Sequence, residues 1–196
     1  MHRHHAVIEA IAERCPVVPM QLATVYTSDH SMTETLRERA TDLRRVLYRI
    51  RARSEWGVKA FAAEPAGLNT APGDPPGQRT PATSGPGAAY LQRRRAQLMA
   101  QDKGRHDVMA DAVAVHAALS RLCVSARLYP PQSPDLAGPR ARMVLNAAYL
   151  IADERASEFA ATIADLTTRH RSVRLVVTGP WPAYSFVSEA HAEGLP

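Results

Sequence analysis

Cysteine is scarce in this chain. Only Cys15 and Cys123 occur among 196 residues, far apart and without a Cys-x-x-Cys pair. That excludes a disulfide framework and fits a reducing cytosol. Long apolar runs are missing as well: none approaches the ~18 residues of a membrane-spanning helix. The start, Met1-His2-Arg3-His4-His5, leads straight into an amphipathic pattern and lacks the apolar core of a signal peptide. Neither secretion nor membrane insertion is expected. Concentrated charge of one sign is absent too. Lys+Arg 24 against Asp+Glu 19 gives a net +5, and the basic residues, mostly arginine, alternate with Glu and Asp. A nucleic-acid binder gathers its charge on one face or in one run, so nucleic acid is not an expected partner.

Catalytic signatures are a further absence. The nucleophile elbow, the phosphate-binding loops, the zinc-protease helix and the kinase motifs do not occur. His2, His4 and His5 have no Cys/His cluster elsewhere to complete a metal site. His106-Asp107 and Asp111 with His116 have the residue types of acid/base pairs. The helical pattern instead puts 107 and 111 on the solvent side and His116 against the helix seam. Arg93-Arg94-Arg95 wraps around a helix, which reads as a solvated surface, with an acidic partner as the alternative.

What is present is an ordinary globular composition, 45% hydrophobic and 22% charged, enough to bury a core. Between Pro65 and Gly87 it changes abruptly: six prolines and five glycines fall there, with only Asp74 and Arg79 charged. Few apolar groups are available to offset ordering entropy, so 65–87 reads as a flexible linker or surface loop. In front of it, Val7, Ile8 and Ile11 suggest a helix over 5–14, ended by Pro16. Short extended pieces follow at 17–20 and 24–26. Ser31 and Glu34 fit a capping box. Met32, Leu36, Leu43, Leu47 and Ile50 make one stripe on a helix reaching about 53. Alternation around Trp56, Val58 and Ala60 predicts a strand at 56–61.

Behind the linker, residues 88–122 read as a long helix, bent or broken at Gly104. Val108, Ala112, Val115, Leu119 and Leu122 form an a/d seam suited to a helical hairpin or short coiled coil. Strands are predicted at 123–129, 142–151 and 173–178. A helix at 154–170 carries Phe159, Ile163 and Leu166 on one face. The expected class is α+β with two small domains. These are an incomplete ferredoxin-like domain at 1–64 and a ferredoxin-like α/β domain with a long helical segment at 88–187, followed by a tail at 188–196.

The string Thr178-Gly179-Pro180-Trp181-Pro182-Ala183-Tyr184-Ser185-Phe186 is unusual. Two prolines stiffen a backbone carrying three aromatics, which can dock at small entropic cost. Alternatively, the aromatics finish the end of the C-terminal sheet.

With this string the sequence resembles the gas vesicle protein F/L family. Val17-Val18-Pro19-Met20-Gln21-Leu22-Ala23-Thr24-Val25-Tyr26 is similar to that family's P-x-R-F-G-T-V-Y segment, with Gln21-Leu22-Ala23 in place of Arg-Phe-Gly. Glu55-Trp56-Gly57-Val58-Lys59 matches E-W-G-V-K, Gly87-Ala88-Ala89-Tyr90-Leu91 matches G-x-x-Y-L, and the aromatic string is similar to T-G-P-W-P-P-Y-S-F. The resemblance spans residues 17–186 in order. It places Met1 inside the family's N-terminal domain, so an N-terminally shortened member is expected.

The resemblance implies an accessory or assembly protein, a minor gas vesicle component in the cytoplasm. It would bind the hydrophobic major shell protein, and other accessory proteins, and prevent shell-protein aggregation during nucleation. It implies no catalysis and no cofactor. The candidate partner-binding residues are Trp56, Val58, Phe61, Trp181, Tyr184 and Phe186. The alternative is a ferredoxin-like regulatory or ligand-binding module without catalysis.

Overall fold

The computed structural model describes residues 2–19, 24–63, 86–131 and 142–187, with backbone alone for 2–4 and 86–89. Most of the 65–87 segment and the 188–196 tail lie outside these residues. In chain order the elements are α1 (His2–Ala12), α2 (Asp29–Glu38), α3 (Ala40–Ile50), β1 (Arg53–Ala62), α4 (Pro86–Ser120), β2 (Ser125–Leu128), β3 (Met143–Ala152), α5 (Ala156–Arg169) and β4 (Val173–Trp181). Single 3-10 turns occupy Asp153–Arg155 and Tyr184–Phe186.

The strands form one antiparallel sheet in the order β2-β3-β1-β4. β3 is almost continuously apolar because it is buried on both faces. Leu145, Ala147, Tyr149 and Ile151 join Val58, Ala60 and the helices α4 and α5 in the main core. Ala148 and Leu150 point the other way, into a smaller core with Val46 and Ile50 of α3 and with Ala183, Phe186 and Val187.

Sequence reasoning put 1–64 and 88–187 in separate units. In the structure β1, from the first stretch, is hydrogen-bonded to β3 on one side and β4 on the other, both from the second. Glu55 lies opposite both Leu150 and Trp181. The two stretches therefore share a sheet, and β1 has no bare edge. The reason is local: among the described residues of the first stretch β1 is the only strand, so its backbone groups pair elsewhere.

The helices differ from expectation in three places. The predicted single helix to residue 53 is divided at Arg39, where the backbone leaves helical geometry (φ −94°, ψ 5°). Its capping box uses Ser28 and Ser31, one turn earlier than Ser31 and Glu34: each hydroxyl accepts the other residue's backbone N–H, at 3.1 and 3.2 Å. The α3 half of the stripe is buried through Val46 and Ile50, whereas Met32 and Leu36 on α2 stay exposed. Finally, α4 runs through Gly104 without a break. A glycine costs about 1 kcal/mol in a helix, a penalty this long helix absorbs, and Lys103 and Asp107 pair across the position at 2.7 Å.

The seam of α4 holds as a burial pattern. Ala112, Val115 and Leu119 are buried, Val108 and Leu122 partly so, against the sheet and α5. On α5, Phe159, Ile163 and Leu166 are buried as their spacing predicts. Residues 90–106 of α4, in contrast, are exposed on every side.

Candidate functional site

The aromatic string begins where β4 ends. Gly179 has φ +111°, a conformation that favours glycine, and a Cβ there would stand 2.6 Å from the Glu55 carbonyl oxygen. The chain therefore passes close over β1 before Pro180, Trp181 and Pro182 carry it into the turn at Tyr184–Phe186. The Gly179–Pro180 peptide is cis.

Glu55 anchors this turn from below. Its residue is 9% exposed, and its carboxylate accepts the Ser185 backbone N–H at 2.7 Å and the Ser185 hydroxyl at 2.5 Å. Burial pushes the Glu55 carboxyl above the usual carboxylate value; the two Ser185 bonds and the charge of Arg127 pull it partway back. The Arg49 side chain of α3 donates to the Phe186 carbonyl. Phe186 itself is 2% exposed, within the smaller core.

From the other side comes α1. His5 Nδ1 shares a hydrogen bond of 2.8 Å with the Tyr184 hydroxyl, and its Nε2 lies 3.0 Å from the Glu9 carboxylate. The His5 ring sits 5.5 Å from the Trp181 ring and 5.8 Å from that of Tyr184. Burial, then the charges of Glu9 and Glu55, raise the Tyr184 hydroxyl above its ordinary pKa. The result is a corner where α1, α3, β1 and β4 converge and Trp181 stands 38% exposed on a backbone fixed from several sides.

The six candidate residues do not gather on one surface. Val58 is wholly buried in the main core. Trp56 is half-buried there, edge-on to Phe159 at 5.6 Å, its indole N–H donating to Ser54 Oγ at 3.3 Å. Phe61 lies half-buried under the Arg174 guanidinium, 4.9 Å from the ring centroid. Phe186 serves the smaller core. Only Trp181 and the half-buried Tyr184 sit together at the surface.

A family model described as gas vesicle synthesis protein GvpL/GvpF matches residues 1–188. The chain belongs to that family. Gas vesicle protein L of Streptomyces sp. (strain CB03234) is 32% identical over 191 residues, covering 97% of this chain and 69% of that protein. The crystal structure of the gas vesicle protein GvpF from Anabaena sp. PCC7120 superposes with a TM-score of 0.61 at 17% identity, over 94% of this chain and 72% of its own. That of GvpF from Microcystis aeruginosa does so at 0.60 and 14%, over 94% and 76%. The fold is thus that of the GvpF structures, and the role of this GvpL/GvpF member is gas vesicle-associated.

Two stretches far apart in the sequence of this family member are neighbours in space. Glu55-Trp56-Gly57-Val58-Lys59 lies within β1, and the Thr178 to Phe186 stretch runs beside it, joined through Glu55 and Ser185. Sequence reasoning singled out the aromatics and missed this polar pair. The available signal was an acidic residue opening an apolar strand and a serine between two aromatics.

Asp111 was expected in solvent. It is instead half-buried, accepting the Ser172 hydroxyl at 2.6 Å and lying 2.7 Å from His170 Nδ1. Burial tends to raise its carboxyl, but the bonds from Ser172 and His170 prevail and hold it below the usual range. Serine, histidine and aspartate meet here with the carboxylate in the middle. The Ser172 hydroxyl and the His170 ring both meet Asp111, so the cluster ties α4 to the turn before β4. His116 packs as expected, bonding the Tyr149 hydroxyl at 2.8 Å.

Among the described residues no group of three or more His, Cys, Asp or Glu is placed to hold a metal ion. No described helix is long and apolar enough to cross a membrane. A cleft of about 80 Å³ lies between Cys15, Pro16, Arg53, Asp153 and Pro182, well under the ~300 Å³ where small-molecule sites begin.

Proposed function

We propose that this chain is an assembly factor of the gas vesicle that binds the hydrophobic shell protein in the cytoplasm and suppresses its aggregation during nucleation. The contact centres on Trp181, with Tyr184 beside it. The observation that carries this reading is the exposure of Trp181 on a corner clamped by Glu55, Ser185, His5 and Tyr184. A large aromatic held rigidly at the surface loses little entropy on docking and supplies apolar area. Family membership sets the context.

The test is co-production of the shell protein with this chain, followed by separation of soluble from sedimenting shell protein. The parent chain is expected to keep more shell protein soluble. Trp181→Ala should lose most of that effect with its own thermal transition nearly unchanged. A parent chain that leaves shell-protein aggregation unaltered overturns the reading. A Trp181→Ala variant that protects as well as the parent moves the contact elsewhere.

A further inference from the structure

α4 carries a second apolar surface that the sheet does not use. Leu91, Leu98, Met109 and Val113 are all exposed. At 3.6 residues per turn they fall within a sector of about 60°, roughly a quarter turn from the buried seam of Ala112, Val115 and Leu119. From Leu91 to Val113 this stripe is about 33 Å long. Arg94 and Arg105 border it on one side and Arg95 on the other, while Asp102 lies within it. Arg105 and Asp102 approach to 3.8 Å.

The stripe is narrow and long, as a helix–helix seam is. A helix lying on a membrane surface needs a broader apolar face than the four apolar residues of this stripe provide. Pairing two copies in parallel along the stripe would set the bordering arginines of one against those of the other. An opposite flank charge is what the stripe selects, since charges beside a seam choose the partner. A solvated helical stretch of this length is also marginal alone, so docking would stabilise it.

We propose that the exposed stripe of α4 docks an amphipathic helix whose flanks carry Asp and Glu, contributed by another protein. This surface is separate from the Trp181 corner, and its test involves no shell protein. Two fluorescent synthetic helices of about four heptads, with Leu at a and d, serve as probes. One carries Glu at e and g, the other Lys. Titration of the full chain, read by anisotropy at low and moderate salt, should show binding of the Glu probe, weakened by salt, and about tenfold or weaker binding of the Lys probe.

Leu91→Ser with Leu98→Ser should abolish binding. Arg94→Glu, Arg95→Glu and Arg105→Glu together should reverse the preference; these side chains are exposed, so thermal stability serves as the control for folding. The proposal is overturned if neither probe binds, or if both bind alike. It is equally overturned if the parent is a dimer that the Leu91/Leu98 variant dissociates. Binding of the chain to phosphatidylserine vesicles without competition from the Glu probe would also overturn it, assigning the stripe to a membrane.

Discussion

Glu55 and Ser185, 130 positions apart, are joined by two hydrogen bonds that fasten the C-terminal turn to the first strand. Removing the hydroxyl leaves a buried carboxylate with one fewer donor. Ser185→Ala should cost about 1.5–3 kcal/mol, measured by urea denaturation at neutral pH. An unchanged midpoint would mean that water replaces the hydroxyl at no cost.

The same carboxylate links stability to pH. Burial leaves the folded Glu55 pKa above its unfolded value, so the fold favours the protonated form. Its contribution is complete below the unfolded pKa and is lost as pH rises through the raised one. Glu55→Gln cannot titrate and should flatten the thermal stability profile at and above the ordinary carboxyl range, where the parent loses this contribution as pH rises. Parallel profiles for parent and variant would contradict this.

Asp111 works in the opposite sense. Its folded pKa is depressed, so its contribution is present above the unfolded carboxyl value and lost as pH falls through the folded one. Asp111→Asn should destabilise by about 1–3 kcal/mol at neutral pH, with the difference shrinking in acid. Melting temperatures of both proteins across the acid range decide it.

Leu119 is fully buried between α4 and the sheet. Leu119→Asp places an unpaired charge there and should cost at least about 3 kcal/mol. A soluble variant with the parent's denaturation midpoint would show that the seam opens without penalty.

Two glycines should respond with opposite sign. A Cβ at Gly104 meets nothing within 4 Å, so Gly104→Ala should stabilise α4 by about 0.5–1 kcal/mol. Gly179→Ala meets β1 backbone at a positive φ and should destabilise by about 1–3 kcal/mol. Calorimetry of the two variants beside the parent tests both signs.

Much of this architecture is legible in the sequence because burial sets the spacing. The a/d positions of α4 and the face Phe159, Ile163 and Leu166 on α5 are read from period alone. Strand pairing is not, since period 2 shows that Trp56 and Val58 share a face but not which strands flank them. The proline-rich segment after β1 suggests a boundary, yet the backbone of β1 finds its partners beyond it. The corner was half legible. Three aromatics in a stiffened string are conspicuous, but sequence cannot sort exposed Trp181 from buried Phe186. Phe186 is buried with Val46 and Ile50 of α3 and Ala148 and Leu150 of β3, while Trp181 meets the His5 ring at the surface side, and none of these contacts is local in sequence.

The place of β1 in the sheet also governs how the molecule is made. Among the four described strands β1 leaves the ribosome first, and roughly 80 residues must follow before β3 emerges to pair with it, several seconds of synthesis at typical rates. β4 comes later still. During that interval β1, one of the two interior strands of the finished sheet, lacks both of the neighbours it pairs with there. Each newborn chain thus passes through a period of vulnerability to self-association, which a local hairpin partner would have shortened.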